Sequence, residues 1–392
     1  MRILHINTYY DQKGGAEKYI NLVSKYQRAN GNIVAVAGLS INRKYDECTE
    51  DGLSIGKTLS CRSFVCDFHE LLILRRFINE FSPEVIHLHN LQFFSWATLL
   101  FLRFVKIFKV QTVHDYGLYC PYIWAINNKQ LCRGKGLKEC YLCGVSAKKI
   151  SFVDFVNFVM RRIILKNRAC YIVSTKLLAG ILRGNGFNDV SIIYHGIEVD
   201  NYPVTSVPAN RNILYVGRLN EEKGVNVLLK AFMLLSSKYE DVTMDIVGEG
   251  PEHDKLIDTV IENKLEKKVN FRGFADNVKQ YYANASVVVV PSVWAESLSL
   301  VLLEAMLFCR PVVVSNIGGP SEIVVDGETG FKFVPGDHEE LSKKIEYVWG
   351  NPYLIEKMVR QARSWLEQEY NICGHVLKLD ELYRKFLKKV VQ

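Results

Sequence analysis

Residues 212–239 read "NILYVGRLNEEKGVNVLLKAFMLLSSKY". A short apolar run leads into a glycine-bearing turn, and a helical pattern follows from Gly224 to Tyr239. A parallel strand covered on both faces reads as a continuous apolar run, so this is strand, turn and helix of a wound α/β unit. The unit recurs downstream. "VTMDIVGEG" is a strand, Glu252 to Asn263 a helix, and "KVNFRGF", "ASVVVVPS" and "RPVVVSN" are further strands, with a helix near Leu300 to Phe308. It recurs upstream too, in "RILHI", "NIVAVAG", "VIHLH", "VQTVHD", "CYIVST" and "VSIIYHG", with helical patterns over Ala16 to Asn30 and His69 to Phe81. This alternation predicts two doubly wound α/β domains.

Between the two series lies "GIEVDNYPVTSVPANR", which has two prolines and no clear period. The expected organisation is a first domain over 1–197, a linker over 198–211 and a second domain over 212–375. Residues 338–392 read as helical throughout. In the closing segment, 376–392, Val376, Leu379, Leu382, Tyr383 and Phe386 form one apolar stripe, which must cover something. Two such domains facing each other leave a cleft at the carboxyl ends of their strands, where ligands bind.

The 392 residues are 48% hydrophobic and 23% charged, the balance of a chain that builds large cores. The net charge of +7 permits an acidic ligand or an anionic membrane surface. It is not gathered into one dense run, which argues against nucleic acid. "MRILHINTYY" is too short an apolar stretch for a secretory signal, and no stretch of about 18 residues is free of charge, so no spanning helix is expected. The ten cysteines show no small secreted framework, and the expected compartment is reducing and cytoplasmic.

In "PSVWAESLSLVLLEAM", residues 291–306, two glutamates stand eight positions apart. If the helix starts just after Glu296, a rise of about 1.5 Å per residue puts the two backbones roughly 12 Å apart. Paired carboxylates that hydrolyse glycosides sit about 5 to 9.5 Å apart, so the spacing better suits one elongated ligand held by Glu296 at one end and Glu304 further along. The backbone N–H groups of Ser297, Leu298, Ser299, Leu300 and Val301 would form an anion site at the helix start. A nucleotide-sugar fits that line. The plainer reading makes Glu296 a cap and Glu304 a surface residue.

The wider pattern favours the ligand. "VGRLNEEKG" supplies Gly217, Arg218 and Lys223, "VGEGP" is a tight turn after a strand, and "GGPSE" and "DGETGFKFVPGD" add more turns. Together, in this order, E-x7-E, G-R-L-x3-K-G, G-[DE]-G-P, V-x-P-S and G-x-x-G-x-x-x-x-P-G-D resemble the retaining glycosyltransferases of family 4, the group 1 glycosyl transferases of GT-B fold. The strong part covers roughly residues 212–337. The resemblance implies two facing Rossmann-like domains, an acceptor side first and a nucleotide-sugar side second, and a final helix that crosses back to domain one. It implies that Arg218 and Lys223 contact the donor diphosphate, that Glu296 holds sugar hydroxyls and Glu304 the ribose, and that Phe271 to Phe274 flank the base with Glu249 nearby. Many family members have Gly where this chain has Ser299, and a hydroxymethyl group there would narrow the space beside the sugar.

In the first domain, "YYDQKGGAEKYI" places Gly14 and Gly15 before a helix, which is a flexible turn or a phosphate-facing loop. The resemblance selects the loop that faces the diphosphate. "TVHDYG" puts His114, Asp115 and Tyr116 at a strand end. By resemblance His114 lies beside the donor sugar, with Asp115 and Tyr116 towards the acceptor. Retention without a carboxylate pair suggests front-side attack, in which the leaving phosphate takes the acceptor's proton and catalysis comes from positioning and charge stabilisation. No D-x-D triplet occurs, so no divalent cation and no other cofactor is expected beyond a UDP- or GDP-sugar substrate.

"CPYIWAINNKQLCRGKGLKECYLCG" holds Cys120, Cys132, Cys140 and Cys143. Its C-x2-C ending suits a structural zinc, but there is no second such pair, and free thiols in an insertion near the acceptor are the plainer reading. In "SWATLLFLRFVKIFK", Arg103, Lys106 and Lys109 recur every three residues and would share one helix face, as would suit an anionic membrane. The sum is a transferase moving a sugar to a glycan or lipid-linked acceptor in surface polysaccharide assembly (O-antigen, capsule or lipopolysaccharide), on the inner face of the cell membrane. The alternatives are a nucleotide-sugar epimerase of the same architecture and a non-catalytic sugar-nucleotide-binding protein.

Overall fold

The computed structural model describes residues 1–10, 14–41, 47–49, 52–57, 65–121, 126–127, 130–132, 136–146 and 150–391. Parts of the "YYDQKGG" loop and of the cysteine insertion, and residues 147–149, therefore lie outside the described residues. The chain forms two compact units. One comprises Met1–Ala125, Cys132–Gly196 and Ile372–Gln392, and the other Ile126–Leu131 and Ile197–Asn371.

The strands of the first unit are β1 (Arg2–Tyr9), β2 (Ile33–Ile41), β3 (Glu47–Thr49), β4 (Gly52–Lys57), β5 (Val85–Leu88), β6 (Phe108–Thr112), β9 (Cys170–Val173) and β10 (Val190–Ile192). Two short strands, β7 (Ile126–Asn127) and β8 (Gln130–Leu131), pair only with each other. The sheet order is 10-9-6-5-1-2-4-3, parallel except where β3 meets β4. The order reverses between β1 and β5, so the residues just past β1, β5 and β6 gather at the carboxyl edge, the usual ligand side. His89 and His114 both stand there. Register sets a second neighbour: His5 of β1 lies directly beside His87 of β5.

The second unit carries β11 (Asn212–Val216), β12 (Thr243–Val247), β13 (Val269–Gly273), β14 (Val287–Val290), β15 (Val312–Ser315) and β16 (Phe331–Phe333). They form one sheet in the order 13-12-11-14-15-16, parallel at every pairing. All four valines of β14 and all four residues of β15 are buried, as helices on both faces require. Here the order reverses between β11 and β14, which puts Gly217–Arg218 and the stretch 291–299 at the same edge.

The helical tail resolves into three helices, His338–Gly350, Pro352–Glu369 and Ile372–Val391. The last belongs to the first unit. Its Val376, Leu379 and Tyr383 are fully buried against Ile3, Tyr19, Val110 and Ile172, with Leu382 and Phe386 at the margin. Full burial of one such side chain contributes about 2 kcal/mol, so this stripe is a major part of that core. Residues 198–211 are held within the second unit. The buried Arg310 donates to Ser206 O at 2.7 Å and to Thr205 Oγ1, and Val207 N donates to Glu356.

Two local expectations give way. The helix after Glu296 does not begin there but at Leu300, with Ser299 as its N-cap, so the stretch from Glu296 to Glu304 is not one helix and the 12 Å rise does not apply. The basic triplet is not a helix face either. The helix Trp96–Phe104 ends at Phe104, Lys106 follows it, and Lys109 belongs to β6. Lys109 Nζ donates to the carbonyls of Val105 and Ile107, and Arg103 donates to those of Ile163 and Ile164. Two of the three cations thus serve unsatisfied carbonyls at helix ends. No helix among the described residues is long and apolar enough to cross a membrane.

Candidate functional site

In the second unit the loops after the strands are pressed together, and glycine is what allows it. Gly248, with φ of 139°, lies against the backbone of Gly217, so that any side chain would overlap the Gly217 carbonyl oxygen. Gly319 donates its N–H to Glu296 O at 2.6 Å and has the Ser297 carbonyl where a Cβ would stand. The loop carrying Glu296 is therefore clamped by "GGPSE", which is not the turn expected from sequence but the start of the helix Gly318–Ile323.

Glu296 is nine-tenths buried, and its Oε1 receives Lys223 Nζ at 2.9 Å and the hydroxyl of Ser292. The Lys223 ammonium is partly exposed. Arg218 is exposed one residue past Gly217, and the Tyr215 hydroxyl donates to its carbonyl at 2.7 Å. Glu304 is half-buried, and its Oε2 receives the hydroxyl of Tyr282 at 2.9 Å. Tyr202 bonds the same carboxylate, and burial, then the Glu304 charge, push both phenols far above their ordinary value. Ser299 Oγ accepts from Leu302 N, so its hydroxyl caps the helix. The N–H of Leu303 is also spent, on Ser299 O. Phe274 is exposed, and its N–H donates to Glu249 Oε1 at 3.3 Å.

In the first unit Gly14 caps the helix Gly15–Ala29 with extended backbone. Glu17 of that helix sits where a Gly14 side chain would lie, and it accepts from Asn7 Nδ2 at 2.7 Å. The helix start therefore already faces a carboxylate. His114 and Asp115 line a pocket with Gly117, Gln111, Arg161 and Arg162. Asp115 accepts from Gly117 N at 2.7 Å, and burial raises its carboxyl. Arg161 Nε is buried with no partner among the described residues. Burial lowers its guanidinium, while Asp115 opposes the shift. Tyr116 is 2% exposed and packs edge-on against Tyr119, so its ring offers almost nothing to a ligand.

A family model described as "Glycosyl transferases group 1" matches residues 205–365, and one described as "Glycosyltransferase Family 4" matches residues 13–201. The chain belongs to the group 1 glycosyl transferases. Among curated members it is similar to a glycogen synthase of Mycobacterium tuberculosis, 32% identical over 48% of this chain and 47% of that one. It is also similar to the capsular polysaccharide biosynthesis glycosyltransferase CapM of Staphylococcus aureus, 27% identical over 50% of this chain and 49% of that one. The chain spans about half the length of these curated relatives. Among solved structures it matches sucrose-phosphate synthase from Thermosynechococcus elongatus with a TM-score of 0.78, at 20% identity over 99% of both chains. It matches Anabaena HepE in complex with UDP at 0.73, with 18% identity over 98% of this chain and all of the other. These likenesses show the GT-B fold, two Rossmann-like parallel sheets with flanking helices.

Within this family member, the structure brings Lys223 to Glu296 and Phe274 to Glu249 on loops after the strands of the second sheet, with Arg218 at the same edge, while Glu304 lies inside the helix Leu300–Leu307 against Tyr282. Gly14, Gly15, His114 and Asp115 stand at the corresponding edge of the first. The cysteines show a different picture. Cys120, Cys132, Cys140 and Cys143 form no disulfide among the described residues. The one set of three metal-ligating side chains within mutual reach among the described residues is His5, His87 and His89. Sequence reading missed that set, and it missed Arg161. The "HLH" of β5 was the available signal, since residues two apart on a strand share a face.

Proposed function

We propose that this protein transfers a sugar from a nucleoside diphosphate sugar to a glycan or lipid-linked acceptor in surface polysaccharide assembly, with retention at the anomeric carbon. The observation that carries the reading is the Lys223–Glu296 pair at 2.9 Å, on loops whose backbones are clamped by glycine. A buried carboxylate with a partly exposed ammonium beside it offers an acceptor for sugar hydroxyls and a cation for a diphosphate. Family membership supports transfer. The capsule relative's name supports a surface glycan, and HepE's UDP supports a uridine donor.

In this reading Arg218 and Lys223 stabilise the departing diphosphate, whose charge grows in the transition state. Glu296 orients the sugar, Glu304 holds the ribose, and Phe274 with Glu249 receives the base. In the first unit His114 meets the sugar and Asp115 the acceptor, with Arg161 a candidate for an anionic group on it. The leaving phosphate takes the acceptor's proton, so positioning does most of the work. No divalent cation is needed.

A thermal-shift panel of UDP-, GDP- and ADP-sugars tests the donor, because a ligand that binds only the folded state raises Tm. A donor that stabilises should release its nucleotide when a lipid-linked acceptor is added, in EDTA as in magnesium. Interconversion of the sugar with no acceptor present would instead mark an epimerase.

A further inference from the structure

Six of the nine histidines meet inside the first unit: His5, His87, His89, His114, His195 and His375. They are not arranged as a metal site. Each ring nitrogen of His5, His87 and His89 already has a hydrogen-bond partner. What the partners form is a directed chain, and its direction can be worked out from one fixed end.

That end is the Gln27 amide. Its Nε2 donates to Tyr383 OH at 3.4 Å, and its oxygen, which only accepts, faces His5 Nε2 at 2.8 Å, so His5 Nε2 carries the proton. His5 Nδ1 then accepts from His89 Nε2 at 2.9 Å, and His89 Nδ1 accepts from His114 Nε2 at 3.0 Å. On the other side Tyr383 OH donates to His87 Nδ1 at 2.6 Å, which leaves His87 Nε2 to donate to the Thr112 hydroxyl at 2.7 Å. His375 is set separately. Its Nδ1 lies 2.6 Å from Tyr194 O, a carbonyl that only accepts, so Nε2 has no proton and accepts from Tyr19 OH at 2.8 Å.

We propose that Gln27 and Tyr383 are positioning residues that act through His5 and His89 to hold His114 as its Nε2–H tautomer, with Nδ1 a proton-free acceptor for a ligand hydroxyl. The tautomer assignment rests on geometry alone. Only the hydroxyl as ligand rests on the function proposed above. Burial keeps the chain neutral, which the one-proton-per-ring logic requires: His5, His114 and His375 are lowered to about 4, and His87 and His89 lie well below their ordinary value. The helix Ile372–Val391, which contributes Tyr383, thereby helps set the proton on a strand-end histidine of β6. Carbonyls and amides that orient a functional imidazole through its second nitrogen act in this way elsewhere.

The test is long-range proton–nitrogen NMR of the full chain labelled at histidine, near neutral pH, with each ring assigned from single His→Gln variants. The expected result is Nε2–H for His5, His87, His89 and His114, and Nδ1–H for His375. An Nδ1–H tautomer at His114 in the unaltered protein overturns the proposal without any variant. Gln27→Leu and Tyr383→Phe should each turn the single His114 tautomer into a mixture. They should lower kcat by roughly 10- to 100-fold with donor KM within about twofold. Tyr383→Phe keeps the buried ring and serves if Gln27→Leu does not fold. A His114 spectrum unchanged in Tyr383→Phe also overturns the proposal. If the unaltered protein transfers no sugar while its tautomers are as stated, the function reading falls and the positioning chain stands.

Discussion

Lys223 and Glu296 neutralise each other, so removing one changes the other's surroundings as well as its own place. Lys223→Ala strips the candidate diphosphate site of a cation and leaves a nine-tenths buried carboxylate without its ammonium partner. The expected outcome is a kcat lower by a factor on the order of 10² or more, because leaving-group charge grows in the transition state. Steady-state kinetics at saturating donor checks it, and turnover near normal would take Lys223 out of the mechanism. Glu304 should behave differently. Its Oε2 is held by Tyr282, and a contact to a ribose hardly changes during reaction. Glu304→Ala should therefore raise donor KM more than it lowers kcat. The reverse pattern would remove it from ribose binding. Ser299 is a third case. Its hydroxyl caps the helix Leu300–Leu307, and its φ of −116° asks for no glycine. Ser299→Gly should lower stability by only a few tenths of a kcal/mol, read as a small shift in denaturation midpoint.

At the scale of elements, the long apolar strands and amphipathic helices were legible, because both faces of a parallel sheet must be apolar. β4 and β16 were not. "GLSIGK" and "FKF" are short and carry glycine, serine and lysine, so no run stands out. The basic triplet misled for a related reason: a three-residue recurrence does not show where a helix stops. The candidate site was legible in its second half, where glycines and carboxylates keep a fixed spacing along the chain. The histidine chain was not. Its members come from five separate places and meet only through sheet order and register. The last helix is where element and site join. A chain ending at residue 374 should lose amide protection in β1, β5 and β6 and keep it in β11, β14 and β15, as hydrogen exchange would show. Retained protection in β1 would mean the buried stripe of Val376, Leu379 and Tyr383 is dispensable.

For the whole molecule, the neutral histidines make acid the weak side. The unfolded chain protonates each imidazole near 6.5, whereas the folded one holds off to about 4 at His5, His114 and His375. Between those limits the unfolded state binds more protons, so stability is complete above about pH 6.5 and falls as pH drops towards 4. At pH 5 each of the three costs about 2 kcal/mol, and a protein's whole margin is about 5–15. Asp115 and Asp380, raised by burial, shift the opposite way and matter only nearer the carboxylate range. Tm should therefore fall steeply from pH 7 to 5. A flat profile there would show that these rings are not buried neutral.

The first unit closes on a helix that translation delivers last among the described elements. Tyr19 meets His375 across 356 positions, and Gln27 meets Tyr383 across the same span. The second unit, apart from one short hairpin, is a continuous stretch from Ile197 to Asn371. On the ribosome, then, the second sheet has all its strands while the first still lacks a wall of its core. The amino-terminal half must wait as an open, partly collapsed body, with Ile3, Tyr19, Val110 and Ile172 uncovered, until residues 372–391 emerge. Birth order and folding order run in opposite directions in this chain, and the half made first is the half finished last.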